Sequence, residues 1–64
     1  METKQLQAGQ VIKYDDGRDG HRGVLATVLS NSPTCLIVQF EDRAETTAIG
    51  HAEKAWTDYL AVIE

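Results

Sequence analysis

Short apolar segments alternate with turn sequences over the first 50 residues of the chain. The segments are rich in Val, Leu and Ile, and they are separated by Gly, Asp, Asn, Ser and Pro. Short apolar runs between such turn signals are typical of β-strands. The pattern predicts four strands, at residues 9–14, 22–30, 34–40 and 45–49.

The second and third predicted strands, which should form an antiparallel hairpin, are apolar on both alternating faces. In the second strand, Val24, Ala26 and Val28 alternate with Leu25 and Leu29. A strand with one face in water would alternate apolar with polar residues, so we expect both faces to be covered. The barrel or sheet interior would cover one face, and the C-terminal helix or a second copy of the protein would cover the other. The core residues predicted from this hairpin are Leu25, Val28, Leu36, Val38 and Phe40.

The hydrophobic period changes after Gly50. Spacings of three and four residues replace the alternation, which predicts a helix over about residues 51–59 with one apolar face. A short strand is predicted to follow the helix. The predicted apolar face contains Ala52, Ala55, Trp56, Tyr59, Leu60 and Ile63, and the polar face contains His51, Glu53, Lys54, Thr57 and Asp58.

Four or five short strands with Gly-rich turns, and a helical turn before the last strand, resemble an SH3-like small barrel. We therefore predict a mainly β fold, a small SH3-like barrel of four to five antiparallel strands with a short helix near the C-terminus. The alternative is an α+β fold in which the C-terminal helix packs on an antiparallel sheet. Residues 1–64 are predicted to form a single small domain, with residues 1–8 as a flexible N-terminal tail.

Residues 11–28 also resemble the KOW-type motif of ribosomal and transcription-elongation proteins. The strand 11–14 is followed by a loop with glycines at 17, 20 and 23 and then by the Val-rich strand 24–28. The segment 38–42 further resembles the strand and turn of Tudor-like barrels. The KOW resemblance implies RNA or DNA binding through the loop from Asp15 to Arg22, with Lys13, Arg18, His21 and Arg22 as the candidate nucleic-acid residues.

The charge balance argues against nucleic-acid binding. Ten acidic and six basic residues give a formal net charge of −4, whereas nucleic-acid modules, KOW domains included, are usually basic. Residues 41–64 contain six acids and two bases, so the whole net charge lies in this segment. The two parts of the chain are therefore suited to different partners.

Catalytic chemistry is not indicated by the cysteine and histidine residues. Cys35 with His21 or His51 would supply a nucleophile and a base, but no third group that would orient the base is evident. Cys35 also stands at the start of an apolar strand, where a cysteine commonly behaves as a small hydrophobic residue.

Metal and phosphate motifs are not indicated either. Asp15, Asp16, Asp19 and His21 form an acidic cluster, but their spacing is not that of a calcium loop. We interpret the cluster as a turn whose carboxylates cap backbone amides. The sequence has no Walker loop and no zinc-binding Cys or His spacing. We expect no catalytic residue, no cofactor and no metal site.

The leading hypothesis is a non-enzymatic regulatory or interaction module that binds a protein partner or itself, with a homodimer as one form. Helical spacing favours core packing for Trp56 and Tyr59, and these two residues are also the candidates for a protein interface. The alternative hypothesis is the KOW-like RNA- or DNA-binding module, and a third is an oligomeric enzyme with its site between subunits. Because no apolar run approaches the length of a membrane span, we expect a cytoplasmic protein with no membrane partner.

Overall fold

The computed structural model describes residues 3–17 and 23–63. In this part of the chain it contains five antiparallel strands in one sheet and one short α-helix near the C-terminus, which confirms the predicted mainly β class. The elements are a 3₁₀ helix at Thr3–Gln5, β1 at Val11–Tyr14, β2 at Val24–Asn31, β3 at Cys35–Phe40, β4 at Thr46–Gly50, α1 at Lys54–Thr57 and β5 at Leu60–Val62.

The strands lie in the order β4-β3-β2-β1-β5. Consecutive strands from β1 to β4 pair as neighbours, and β5 returns to the free side of β1. The register of β2 against β3 shifts between Val28 and Ser30, so Leu29 is the extra residue of a β-bulge. A bulge of one residue reverses the alternation of the strand beyond it. Asn31, opposite the buried Leu36, therefore lies on the inner face of the sheet.

The core lies on the inner face of the sheet. Cross-strand partners such as Ala26 and Phe40, or Leu36 and Ile49, are both buried there. The buried apolar residues are Leu6, Ile12, Tyr14, Ala26, Val28, Leu36, Val38, Phe40, Ile49 and Leu60. Four of the five predicted core residues are among them.

Leu25 is the predicted core residue that is not buried. It pairs with Lys13 on the outer face of the sheet and remains partly exposed. The prediction was wrong because Leu25 alternates with Ala26, whose side chain occupies the interior. The expectation that both faces of the hairpin are covered therefore holds for the inner face only.

The C-terminal segment forms a single helical turn. The helix predicted over residues 51–59 is limited to Lys54–Thr57, which removes the long apolar helical face. Thr57, predicted on the polar face, is buried, whereas Ala55 and Tyr59 are exposed. Leu60 is buried as a strand residue instead, because Tyr14 of β1 is its partner. No helix in the described part of the chain is long and apolar enough to cross a membrane.

The N-terminal segment packs against the sheet from residue 3 onward, which corrects the prediction of a flexible tail over residues 1–8. Thr3 and Leu6 are both buried, and Leu6 belongs to the core. Backbone hydrogen bonds continue this packing, since the N–H of Gly9 donates to the carbonyl of Val28 (2.8 Å). A domain of this size has little apolar surface to spare, so Leu6 contributes to a core that β-strands alone would leave thin.

Candidate interaction surfaces

The predicted nucleic-acid loop is described only in part. Arg18, His21 and Arg22 lie outside the described residues, so three of the four candidate residues have no structural account. Lys13, the fourth, lies on the outer face of β1 with Leu25 as its cross-strand partner, and it is partly buried.

The described end of this loop is a turn held by its own carboxylates. Asp15 accepts the backbone N–H of Gly17 at Oδ1 (2.9 Å), and Gly17 has a φ of +81°, a left-handed conformation that favours glycine. Asp16 accepts the hydroxyl of Tyr14 at Oδ2 (3.0 Å). The Asp15 carboxylate therefore caps a backbone amide as expected, whereas the Asp16 carboxylate binds a side-chain hydroxyl.

The outer face of the sheet carries almost no charge. Its side chains follow from the register, and Lys13 is the one charged strand residue among those the structure describes on this face. The carboxylate of Glu53 lies at the margin of the face, beside Gly50. Several apolar members are only partly buried, Leu25 and Ile37 among them. The other members are Val11, Thr27, Ser30, Cys35, Gln39, Thr46, Ala48 and Ala61.

The single helical turn does not cover this outer face. The indole of Trp56 packs on the rings of Tyr14 and Phe40, with centroid separations of 5.0 and 5.8 Å, and both of those residues belong to the inner face. Tyr59 makes an edge contact with Tyr14 at 6.1 Å and remains 46% exposed. Of the two candidate interface residues, Trp56 is thus packed against the core and Tyr59 presents an exposed ring.

The sheet has two edges, formed by β4 and β5. In an antiparallel ladder, residues hydrogen-bond alternately to one neighbour and away from it. The N–H of His51 donates to the carbonyl of Thr34 (3.4 Å), which makes Ile49 and Thr47 the residues that bond to β3. Thr46 and Ala48 therefore direct their N–H and carbonyl groups away from the sheet.

Backbone hydrogen bonds alternate in the same way along β5. The N–H of Ile63 donates to the carbonyl of Val11 (2.8 Å), and the N–H of Asp15 donates to the carbonyl of Tyr59 (3.1 Å). Leu60 and Val62 are therefore the residues whose backbone groups face outward at this edge. The edge of β5 is three residues long, against five for β4.

The side chains of His51 and Cys35 have hydrogen-bond partners other than each other. His51 Nε2 lies 2.8 Å from the carbonyl of Ser32, so Nε2 carries the proton, and Nδ1 accepts the hydroxyl of Thr3 (2.6 Å). Both ring nitrogens are therefore occupied by structural hydrogen bonds. Cys35 Sγ is instead 3.7 Å from the hydroxyl of Ser32.

Asn31 is the second side chain that fastens the N-terminal segment. Its Nδ2 donates to the carbonyls of Leu6 (2.9 Å) and Thr3 (3.0 Å), with a longer contact to that of Lys4 (3.3 Å). Asn31 Oδ1 is buried and has no donor within the described part of the chain. Sequence reasoning missed both Asn31 and His51 as structural residues. The sequence shows a turn at 31–33, but it does not show the bulge that directs the Asn31 side chain inward.

Two open grooves lie beside this network, with volumes of about 430 and 480 Å³. Both are lined by Lys4 and Pro33, and the rest of their lining includes Asn31, Ser32 and His51. These three side chains are already hydrogen-bonded within the protein. We therefore assign the grooves to the packing of the N-terminal segment.

Within the residues described, no group of three or more His, Cys, Asp or Glu side chains is arranged to hold a metal ion. Comparisons with protein-family models, with curated proteins and with solved structures find no match for this chain. Function is therefore argued from the surfaces alone.

Proposed function

We propose that the protein is a small non-enzymatic interaction module that binds a protein partner or itself through the outer face of its sheet. The observation that carries this proposal is the nearly uncharged outer face, on which Leu25 and Ile37 remain partly exposed. Trp56 packs toward the inner face, so the described helical turn leaves the outer face open. The centres of interfaces between proteins are depleted of charged residues, and this face has that composition.

The position of the charges supports a protein partner. The described acidic residues lie in turns and in α1's flanks rather than on the outer face, as with Glu41, Asp42 and Asp58. Interfaces between proteins are depleted of charge at their centres and polar at their rims. An uncharged face with acids around it has this distribution.

The SH3-like resemblance is part of the proposal. A meander of four strands, a helical turn and a fifth strand beside the first is the order of elements on which that resemblance rests. Small barrels of this kind host many functions, so the fold alone selects none of them.

A charged substitution at the centre of the outer face tests the proposal. Thr27 lies between Val11 and Gln39 on this face and is exposed, so Thr27→Glu should leave the fold intact. Ala44→Glu, in the exposed turn after β3, is the matched control. We expect pull-downs from native lysate, or self-association in sedimentation, to be lost with Thr27→Glu and kept with Ala44→Glu. Equal behaviour of both variants would refute an outer-face interface.

The same lysates test the KOW-like alternative when they are treated with nuclease. A nucleic-acid function requires that capture disappears with nuclease, that binding weakens steeply with salt, and that Arg18→Ala with Arg22→Ala abolishes it. A protein interface requires capture that survives nuclease and is insensitive to the double substitution. The two results are exclusive, so one experiment separates the two functions.

A further inference from the structure

We propose that the free edge of β4 binds an extended, basic segment of a partner protein by adding it as a sixth strand. This inference rests on the proposed interaction function and names the chemistry of one partner. It concerns the edge of the sheet and not the outer face, so the two can be tested separately.

Among the residues that the structure describes, no strand pairs with the outer edge of β4, and its backbone offers hydrogen-bonding groups there in the correct spacing. Thr46 and Ala48 direct their N–H and carbonyl groups outward, since Thr47 and Ile49 are the residues that bond to β3. The backbone groups of Gly50 also face outward, and its carbonyl already accepts the N–H of Glu53 (3.0 Å). An incoming strand can pair with the N–H and carbonyl groups of Thr46 and Ala48 and with the N–H of Gly50, which is the usual mode of strand addition.

The sequence of β4 lacks the devices that protect sheet edges. Proteins protect such edges with lysine, proline, bulges or very short strands. The strand Thr46–Gly50 has no charged residue and no proline, and its register against β3 is regular throughout. The residues of β4 whose backbone groups face outward are small, so a second backbone can approach closely.

Acidic groups at both ends of β4 specify the charge of the occupant. Glu45 immediately precedes the strand and is exposed. At the other end Glu53 lies over Gly50, where its carboxylate oxygen is 2.9 Å from the position of a Cβ built on that glycine. The nearby Arg43 is held by Asp42 (3.3 Å) and by the ring of Phe40 (5.0 Å).

The distance between these acids sets the spacing of the bases. Glu45 and the glycine beneath Glu53 are five positions apart in the strand, a length of about 17 Å. An extended segment with two lysines or arginines about five positions apart matches both carboxylates. A second copy matches them poorly, because twofold pairing about Ala48 brings Thr46 of one copy opposite Gly50 of the other. That pairing would bring Glu53 toward the partner's Glu45.

A short synthetic peptide is the probe. We would add acetyl-Lys-Thr-Val-Thr-Val-Lys-amide to ¹⁵N-labelled protein and follow the backbone amides by NMR. The expected result is a shift and slower hydrogen exchange at Thr46, Ala48 and Gly50, with no change at Leu60 and Val62. A peptide with Glu in place of both Lys should bind about tenfold more weakly or not at all.

Two proline variants locate the binding edge. Ala48→Pro removes an outward N–H that β3 does not use, so the sheet should remain intact while peptide affinity falls about tenfold. Val62→Pro makes the matched change at the edge of β5 and should leave affinity unchanged. Glu45→Gln with Glu53→Gln should weaken binding about three- to tenfold and remove its salt dependence, with no loss of the fold.

Three outcomes would overturn the proposal. Equal binding of the Lys and Glu peptides would remove the charge argument, and loss of binding in Val62→Pro alone would place the peptide on β5. A wild-type dimer that Ala48→Pro dissociates would show that the edge is occupied by a second copy. The first two results leave the outer-face proposal unchanged. The third would exclude an outer-face homodimer and leave the outer face to a different protein, which the Thr27→Glu variant tests in the pull-down.

Discussion

Asn31 shows how one side chain can fix a segment that the sequence pattern leaves undefined. The bulge at Leu29 reverses the alternation of β2 and directs Asn31 inward, where its amide reaches three carbonyls of the N-terminal segment. With the neighbouring hydrogen bond from Thr3 to His51, this contact holds Leu6 in the core. The N-terminal segment is thus fastened by polar side chains and by one apolar anchor.

Removing the amide of Asn31 should release the N-terminal segment. Asn31→Ala leaves the carbonyls of Thr3 and Leu6 without this donor, and we expect a loss of about 1–3 kcal/mol in the free energy of unfolding. Urea denaturation measures that loss, and trypsin cleavage after the exposed Lys4 should become faster. Ser30→Ala, at the neighbouring exposed position, is the control and should change neither measurement. Unchanged cleavage in Asn31→Ala would show that Leu6 and the Thr3–His51 hydrogen bond hold the segment without Asn31.

Phe40 is the residue whose removal should cost the core most. Its ring is buried and contacts the rings of Tyr14 and Trp56 at 6.4 and 5.8 Å between centroids. Phe40→Ala should destabilise the protein by about 3–5 kcal/mol, which is most of the stability of a domain this small. Leu25→Ala, on the outer face, should cost about 1 kcal/mol. Thermal melts monitored by circular dichroism give both values, and similar losses for the two variants would contradict the assignment of the faces.

At the scale of elements, the strands and the short helix near the C-terminus were predictable, but the length of the helix was not. Turn residues such as Asn31 and Pro33 mark the end of β2 and the start of β3 to within a few residues. They do so because the backbone conformations that these residues favour depend on the local sequence alone. The helical spacing after Gly50 was a misleading signal. Leu60 keeps that spacing but is buried because β1 pairs with it, which is a tertiary contact that local periodicity does not record.

Along β4, residues that hydrogen-bond to β3 alternate with residues whose backbone groups face outward. This alternation predicts how much a proline at each position destabilises the strand. Thr47 bonds to β3, so Thr47→Pro removes a ladder hydrogen bond and should cost at least about 1–3 kcal/mol. Ala48→Pro, one residue along, removes an outward N–H and should cost about 1 kcal/mol or less. Chemical denaturation of the two variants compares them directly. A larger loss of unfolding free energy for Ala48→Pro would show that Ala48, and not Thr47, hydrogen-bonds to β3. That result would remove the basis for strand addition at this edge.

At the scale of the whole molecule, part of the candidate surface was visible in the sequence. The two-sided apolar hairpin predicted a second cover, and the structure shows that Trp56 packs on the inner face instead of supplying it. The charge difference between the two parts of the chain was also visible. The edge of β4 was not, because the position of a strand in a sheet depends on the order β4-β3-β2-β1-β5, which no local pattern encodes.

Self-association is the whole-molecule prediction that follows from the open outer face. With one free cysteine and no metal-binding group in the described part of the chain, burial between subunits is an available source of stability for so small a domain. Closed twofold symmetry is the commonest arrangement, and it would place the outer faces of two copies together. We expect a homodimer whose melting temperature rises with protein concentration.

Sedimentation equilibrium at micromolar concentration measures the dimer directly. Thr27→Glu places a carboxylate at the centre of the pairing face in both copies, so it should yield a monomer with an unchanged circular dichroism spectrum. Ala48→Pro should remain a dimer, because Ala48 lies at the margin of the outer face, on the edge strand, and the substitution adds no charge there. A wild-type species at the monomer mass of 7.1 kDa would refute self-association. The uncharged face would then be left to a different protein, which the nuclease-resistant pull-down is designed to capture.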